Sequence, residues 1–296
     1  MGGGSWTEKE YSHYSKSVGR DVDSTGRIDI SDKDVRQIYK VRRLSKELDP
    51  LNIMRECCDS EEHPNTLPVI IGIDVTGSMG SAAMEVAASL NNILTELYKE
   101  VADVEFAIMG IGDSYYDTAP CQISQFESDV RIAQWLDEIY FEAGGGPNAF
   151  ESYSYAWYMG AKHTKLDCWK RGKKGIIITI GDEILNPYIE GESIRNDIGD
   201  DCQTETLSTA DIYAMVKDKY NLYHIHIEHG YSSSERAERV KDSFSTFLPA
   251  QNIYTSKVEN LSKVITGIIK NDVTDTPIVT ANENENWQND NGEITW

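Results

Sequence analysis

Positive charge is scarce in this chain: 28 Lys and Arg stand against 49 Asp and Glu, for a net charge of −21. Binding to a nucleic-acid backbone or an anionic membrane needs clustered Lys and Arg, so neither partner is expected. A divalent cation or a basic partner surface fits the charge better, and solubility accounts for much of the acidity. Long hydrophobic runs are missing too. Stretches such as "GIIITI" are far too short to span a bilayer, so no membrane association is expected. The opening "MGGGSWTEKEYSHYSK" contains no apolar core of the signal-peptide kind, so no secretory signal is expected. It starts Met-Gly, but Trp6 stands where the myristoylation pattern wants Ser or Thr. Cysteines are few and odd in number (Cys57, Cys58, Cys121, Cys168 and Cys202), with no C-x-x-C pair. That argues against a disulfide framework or structural zinc, and points to a reducing, cytoplasmic compartment.

What is present divides into three parts. Residues 1–66 read as an N-terminal arm, polar and irregular up to about Asp29. A single helix follows in "DKDVRQIYKVRRLSKEL", with Asp32 as its cap, and then a linker broken by Pro64 and Pro68. Residues 67–270 alternate strand and helix. "VIIGI", "VEFAIMGIG" and "GIIITIG" are continuous apolar runs, as expected of strands buried on both faces. "SAAMEVAASLNNILTELYKEV" carries Met84, Ala87, Leu90, Leu94 and Leu97 at helical spacing. Residues 271–296 form an acidic tail without periodicity, expected to be disordered. The alternation predicts an α/β fold: a doubly wound, mostly parallel sheet with helices on both faces, and "CQISQF" as one antiparallel edge strand.

In such sheets ligands bind beyond the carboxyl ends of the strands. Three segments are expected there. "DVTGSMGS" brings Asp74, Thr76 and Ser78, with glycines that let the backbone turn sharply. "AGGGPNAFES" brings Asn148 and Glu151, and "TIGDE" brings Asp182 and Glu183. Asp113, after the second strand, is a candidate for an outer position or a solvated turn. All of these donors are oxygen, and hard oxygen donors select Mg2+, Mn2+ or Ca2+ over zinc or copper.

"DVTGS" resembles the Asp-x-Ser/Thr-x-Ser motif of the metal-ion-dependent adhesion site (MIDAS) in von Willebrand factor type A (vWA) domains. The order of elements over roughly residues 67–270 is similar as well. The likeness is strongest to stand-alone bacterial and phage proteins of this type. It implies Mg2+ held by the hydroxyls of Thr76 and Ser78, with Asp74 acting through water. It also implies a second-loop ligand at Asn148, for which Glu151 or a water can substitute, and an acid at Asp182. The function so implied is a protein-binding adaptor in which a partner's Asp or Glu carboxylate completes the metal's shell. Analogy with other family members suggests an AAA+ ATPase or a larger assembly as partner.

Other readings stay open beside it. A metal-assisted phosphohydrolase would use Asp74, Asp113 and Asp182, with His229 or Glu183 as base. A structural or virion component would use the metal only to hold its fold. "GGGPN" lacks the G-K-[ST] of a phosphate loop. On a strand, His224, His226 and Glu228 would share one face and could bind zinc, but core histidines under a helix are the expected case. Tyr153, Tyr155, Trp157 and Tyr158 are expected to be core.

Overall fold

The computed structural model describes residues 4–228 and 234–274. His229 and the tail from residue 275 lie outside the described residues.

The apolar runs form one six-stranded sheet. Its strands are β1 (Leu67–Asp74), β2 (Val104–Ile111), β3 (Cys121–Ile123), β4 (Gly175–Gly181), β5 (Tyr220–Ile227) and β6 (Ile253–Ser256), in the order β6-β5-β4-β1-β2-β3. All neighbours pair in parallel except β3, which runs antiparallel to β2 at the edge. Every residue of β2 and β4 is buried, which is why these strands show no polar alternation.

The longer helices, in chain order, are α1 (Glu8–Ser17), α2 (Gly80–Tyr98), α3 (Arg131–Glu138), α4 (Ser154–Lys162), α5 (Thr209–Val216), α6 (Ser234–Ser245) and α7 (Leu261–Thr274). Side chains alternate across β1, so Val69, Ile71 and Ile73 pack with α2, α3 and α7, while Ile70 faces the α4, α5 and α6 side. Each fully buried aliphatic side chain contributes about 1.5–3 kcal/mol, and both faces hold a continuous cluster of them. The expected doubly wound, mostly parallel sheet with one antiparallel edge is therefore the observed architecture. From β1 the chain runs outward through β2 and β3, then returns to β4 on the other flank of β1. That reversal makes the β1/β4 boundary the crevice where such sheets bind ligands.

Residues 4–66 are more ordered than their composition suggests. The expected irregular start contains α1, capped by Thr7, whose hydroxyl accepts from the Glu10 amide at 3.2 Å. Trp6 and Tyr11 are buried, and the Trp6 indole donates to Asn91 on α2 at 3.2 Å. Arg20 pairs with Asp137 on α3, and Arg27 with Glu85 on α2 at 2.6 Å. Conversely, the single longer helix expected after Asp32 shrinks to Val35–Ile38, capped by Asp34 rather than Asp32. Tyr39 leaves the helical conformation because its ring is buried, with its hydroxyl donating to the Ala83 carbonyl at 2.8 Å. Tertiary burial overrides local periodicity here. Arg55–Cys57 adds a short strand, paired in parallel with Thr164–Leu166.

His63 ties this segment to the sheet. One ring nitrogen lies 2.7 Å from the Gly4 carbonyl and the other 3.2 Å from the Asp103 carboxylate. Burial lowers its pKa, but the Gly4 and Asp103 contacts outweigh burial and the net shift is upward. A histidine raised on folding stabilises fully below its unfolded value, about 6.5, and loses that contribution as pH rises through the folded value. Exchange of the α1 amides is therefore expected to quicken as pH rises above neutrality, beyond the intrinsic chemical rate. In His63→Gln that excess should vanish. An unchanged excess in the variant would show that His63 does not hold the arm.

Candidate functional site at the carboxyl edge of the sheet

β1 ends at Asp74, whose side chain is fully buried. Its Oδ1 accepts from the Thr76 amide at 2.8 Å and the Thr76 hydroxyl at 2.5 Å, and its Oδ2 from the Tyr153 hydroxyl at 3.0 Å. The chain then makes a 3-10 turn over Gly77–Met79 and enters α2. Ser78, exposed at this turn, donates to Asp182 Oδ1 at 3.0 Å. Asp182 directly follows β4 and is buried. The structure thus joins Asp74, Thr76, Ser78 and Asp182 across the crevice between β1 and β4.

Two backbone features hold the turn. The Gly77 amide donates to the Gly144 carbonyl at 3.0 Å, and the Ala143 amide to the Val75 carbonyl at 3.1 Å. A Cβ on Gly77 would stand 3.3 Å from the Ala143 carbonyl oxygen, so only a glycine lets the two loops approach this closely without a shift. The glycine loop is held in turn by Glu142, which accepts from the Thr118 amide at 3.0 Å and the Ala119 amide at 3.2 Å.

Asn148 and Glu151 part company. Asn148 lines a groove with Asp113, Phe150 and Tyr188. Glu151 is buried beside the set. It sits in a two-residue ladder, Phe150–Glu151 against Ile184–Leu185, which stitches the glycine loop to the segment after Asp182. Burial raises the Glu151 carboxyl far above its ordinary range, and the charges of Asp74, Asp117, Asp113 and Glu183 raise it further. Burial also raises Asp74. The Thr76 and Tyr153 hydrogen bonds oppose that shift and the Asp182 charge adds to it.

Among the described residues, three carboxylate oxygens at this edge are buried without a hydrogen-bond partner: Asp113 Oδ2, Glu151 Oε2 and Glu183 Oε2. Asp113 Oδ1 is taken by the Tyr115 amide at 2.9 Å, and Glu183 pairs with Arg236 on α6. A buried carboxylate oxygen left unpaired is costly, about 1–3 kcal/mol or more, a cost that either a proton or a cation relieves. The hydroxyls fit a cation. Thr76 and Ser78 spend their protons on Asp74 and Asp182, which leaves oxygen lone pairs for an electrophile. Among the described residues no three His, Cys, Asp or Glu side chains converge as a closed metal cage. The set instead mixes two carboxylates with two hydroxyls.

The histidine pair behaves as core. His224 is fully buried, stacked on Phe244 with ring centroids 3.6 Å apart, and its Nδ1 lies 3.0 Å from the Thr179 hydroxyl. Burial holds its pKa well below the ordinary value. His226 is buried on the same face, while Glu228 is exposed beyond the strand end. Tyr153, Tyr155, Trp157 and Tyr158 are buried as expected. Sequence reasoning missed Tyr153 as a donor to Asp74. Its position one residue ahead of a helix, behind Glu151 and Ser152, was the available signal.

No helix among the described residues is long and apolar enough to cross a membrane. No family model and no curated protein matches the chain. Solved structures similar to it include the pilus adhesin SpaC from Lactobacillus rhamnosus GG, at 13% identity and a TM-score of 0.48, covering 74% of this chain. The chain spans 31% of that adhesin's length. The vWF domain of the type V pili tip protein Mfa5 from Porphyromonas gingivalis is similar at 12% identity and a TM-score of 0.47, covering 78% of this chain and 98% of that one. Proximal thread matrix protein 1 from the mussel byssus is similar at 10% identity and a TM-score of 0.44, covering 72% of this chain and 49% of that one.

Proposed function

We propose that the chain is a divalent-cation-dependent protein-binding module whose site is the MIDAS-like edge between β1 and β4. The observation that carries this reading is the cross-strand set itself. Asp74 and Asp182 orient the Thr76 and Ser78 hydroxyls, with unpartnered carboxylate oxygens of Glu151 and Asp113 close behind. Mg2+ suits such donors best, and Mn2+ or Ca2+ could replace it. When bound, the cation supplies a coordination position for a carboxylate from a partner protein. Thr76 and Ser78 would hold it directly, Asp74 and Asp182 would orient those hydroxyls, and Glu151 would take the place first assigned to Asn148. Ser78 is the exposed member of the set, which gives a partner its access. An acidic side chain on an ATPase or larger assembly is the partner chemistry this reading favours, in the cytoplasm.

The test is capture of partner proteins by the immobilised full chain with Mg2+ or with EDTA. Capture is expected with Mg2+ only, and Ser78→Ala should lose it while keeping the thermal unfolding temperature within a degree or two. Capture that survives both EDTA and Ser78→Ala would sink the reading. A metal-dependent phosphatase activity lost in Asp74→Asn would instead favour a hydrolase.

A further inference from the structure

A groove walled by exposed aromatic side chains lies beside this edge. Among the described residues, Tyr115, Tyr116, Phe150 and Tyr188 are large apolar side chains left exposed, at 64%, 45%, 38% and 45%. All four line a single groove of about 250 Å³, together with Asp113 and Glu190. Exposed aromatics scattered singly need no explanation, but four around one concavity do. The groove has no Lys or Arg in its lining.

The walls are built, not incidental. The Tyr115 and Tyr116 rings meet edge to face, with centroids 4.8 Å apart and planes at 67°. They make two sides of a box rather than one flat platform. Tyr116 is backed by the main chain of Gly146, where a Cβ would stand 2.1 Å from the ring. The floor is tied down as well: the Tyr115 amide donates to Asp113 at 2.9 Å and the Ser114 amide to Ser152 at 2.9 Å. Asn186 donates to the Tyr188 carbonyl at 2.9 Å.

We propose that this groove takes a positively charged side chain, Arg or Lys, from a protein partner. Aromatic faces carry negative quadrupole charge and attract cations. Asp113 and Glu190 add formal negative charge, and the Asp117 carboxylate accepts from the Asp113 amide at 2.8 Å. A neutral sugar would use a flat ring face but would gain nothing from this field, and two rings at a steep angle do not offer such a platform. The volume lies just under the roughly 300–1,000 Å³ of drug-sized sites, which suits one long side chain. The groove needs no bound metal, so its occupancy is separable from the cation site.

The experiment titrates the full chain, with ring-labelled tyrosine, with the capped tripeptide Gly-Arg-Gly and follows the tyrosine signals by NMR. Controls are Gly-Gln-Gly and maltose. Saturable shifts of Tyr115, Tyr116 and Tyr188 are expected with the Arg peptide, with at least a roughly fivefold weaker response to the Gln peptide. Tyr116→Leu and Glu190→Gln should each weaken Arg-peptide binding roughly threefold to tenfold. Tyr116 is exposed and Glu190 half-buried, and unchanged thermal unfolding will confirm that the variants fold. EDTA should leave the titration unchanged. Equal response to the Gln peptide, stronger binding of maltose, loss of binding in EDTA, or no response to any probe would overturn the proposal.

Discussion

Asp182→Ala is expected to abolish Mg2+ binding by the full chain, a loss of at least roughly a hundredfold in affinity, or about 2.8 kcal/mol. Isothermal titration calorimetry in chelator-stripped buffer measures it. Asp182 holds the Ser78 hydroxyl at 3.0 Å and brings the second strand's charge to the edge. Removing it frees Ser78 and halves the carboxylate pair. Glu151→Gln separates charge from shape. The amide keeps the volume, and burial with the neighbouring acids already disfavours the charged form of the parent carboxyl. Thermal stability in EDTA should therefore stay close to the parent's, while Mg2+ affinity falls roughly 10- to 100-fold. A binding isotherm unchanged in Asp182→Ala would show that no cation site exists between β1 and β4.

The different fates of Asn148 and Glu151 show what a linear reading of this chain can and cannot reach. β1 and β4 are legible because their buried positions form near-continuous apolar runs, interrupted within β4 only by Thr179. Their ends are legible because a carboxylate closes β1 at Asp74 and directly follows β4 at Asp182. The antiparallel turn-back of β3 follows from its short connection to β2. Which residue of "GGGPNAFES" reaches the crevice depends on the two-residue ladder of Phe150–Glu151 with Ile184–Leu185. A ladder that short leaves no periodicity to read. The arm fails for a related reason. α1 is polar over most of its length and anchors through Tyr11, with Trp6 just ahead of it, so its order comes from α2 and α3 rather than from its own pattern. In Val35–Ile38 the periodicity is present but loses to the burial of Tyr39.

Gly181→Ala is expected to damage both the fold and the site, although it adds one methyl group. In the sequence Gly181 is merely the last residue of an apolar strand before Asp182. In the structure a Cβ there would stand 1.7 Å from the Tyr153 hydroxyl and 2.4 Å from the carbon that bears it. Tyr153 has nowhere to retreat: it is fully buried, with His224 at 5.2 Å and Phe244 at 5.6 Å between ring centroids. Overpacking of this kind costs about 1–3 kcal/mol. A displaced phenol also leaves Asp74 Oδ2 without its donor, so a buried carboxylate loses about 1–3 kcal/mol more. Urea unfolding should show a loss of about 2–6 kcal/mol in the sum, and Mg2+ affinity should fall with it, because Asp74 no longer holds Thr76 in place. Tyr153→Phe alone removes the Asp74 contact but creates no clash. In the double variant the clash is eased, so the two losses should fall short of additive by at least about 0.5 kcal/mol. Strict additivity, or a neutral Gly181→Ala, would mean that the tyrosine yields freely. The glycine would then have no role in holding Asp74 at the edge. If the coupling is found, the glycine before Asp182 is required by the buried phenol behind it, and the two acids of the site are positioned through a single side chain.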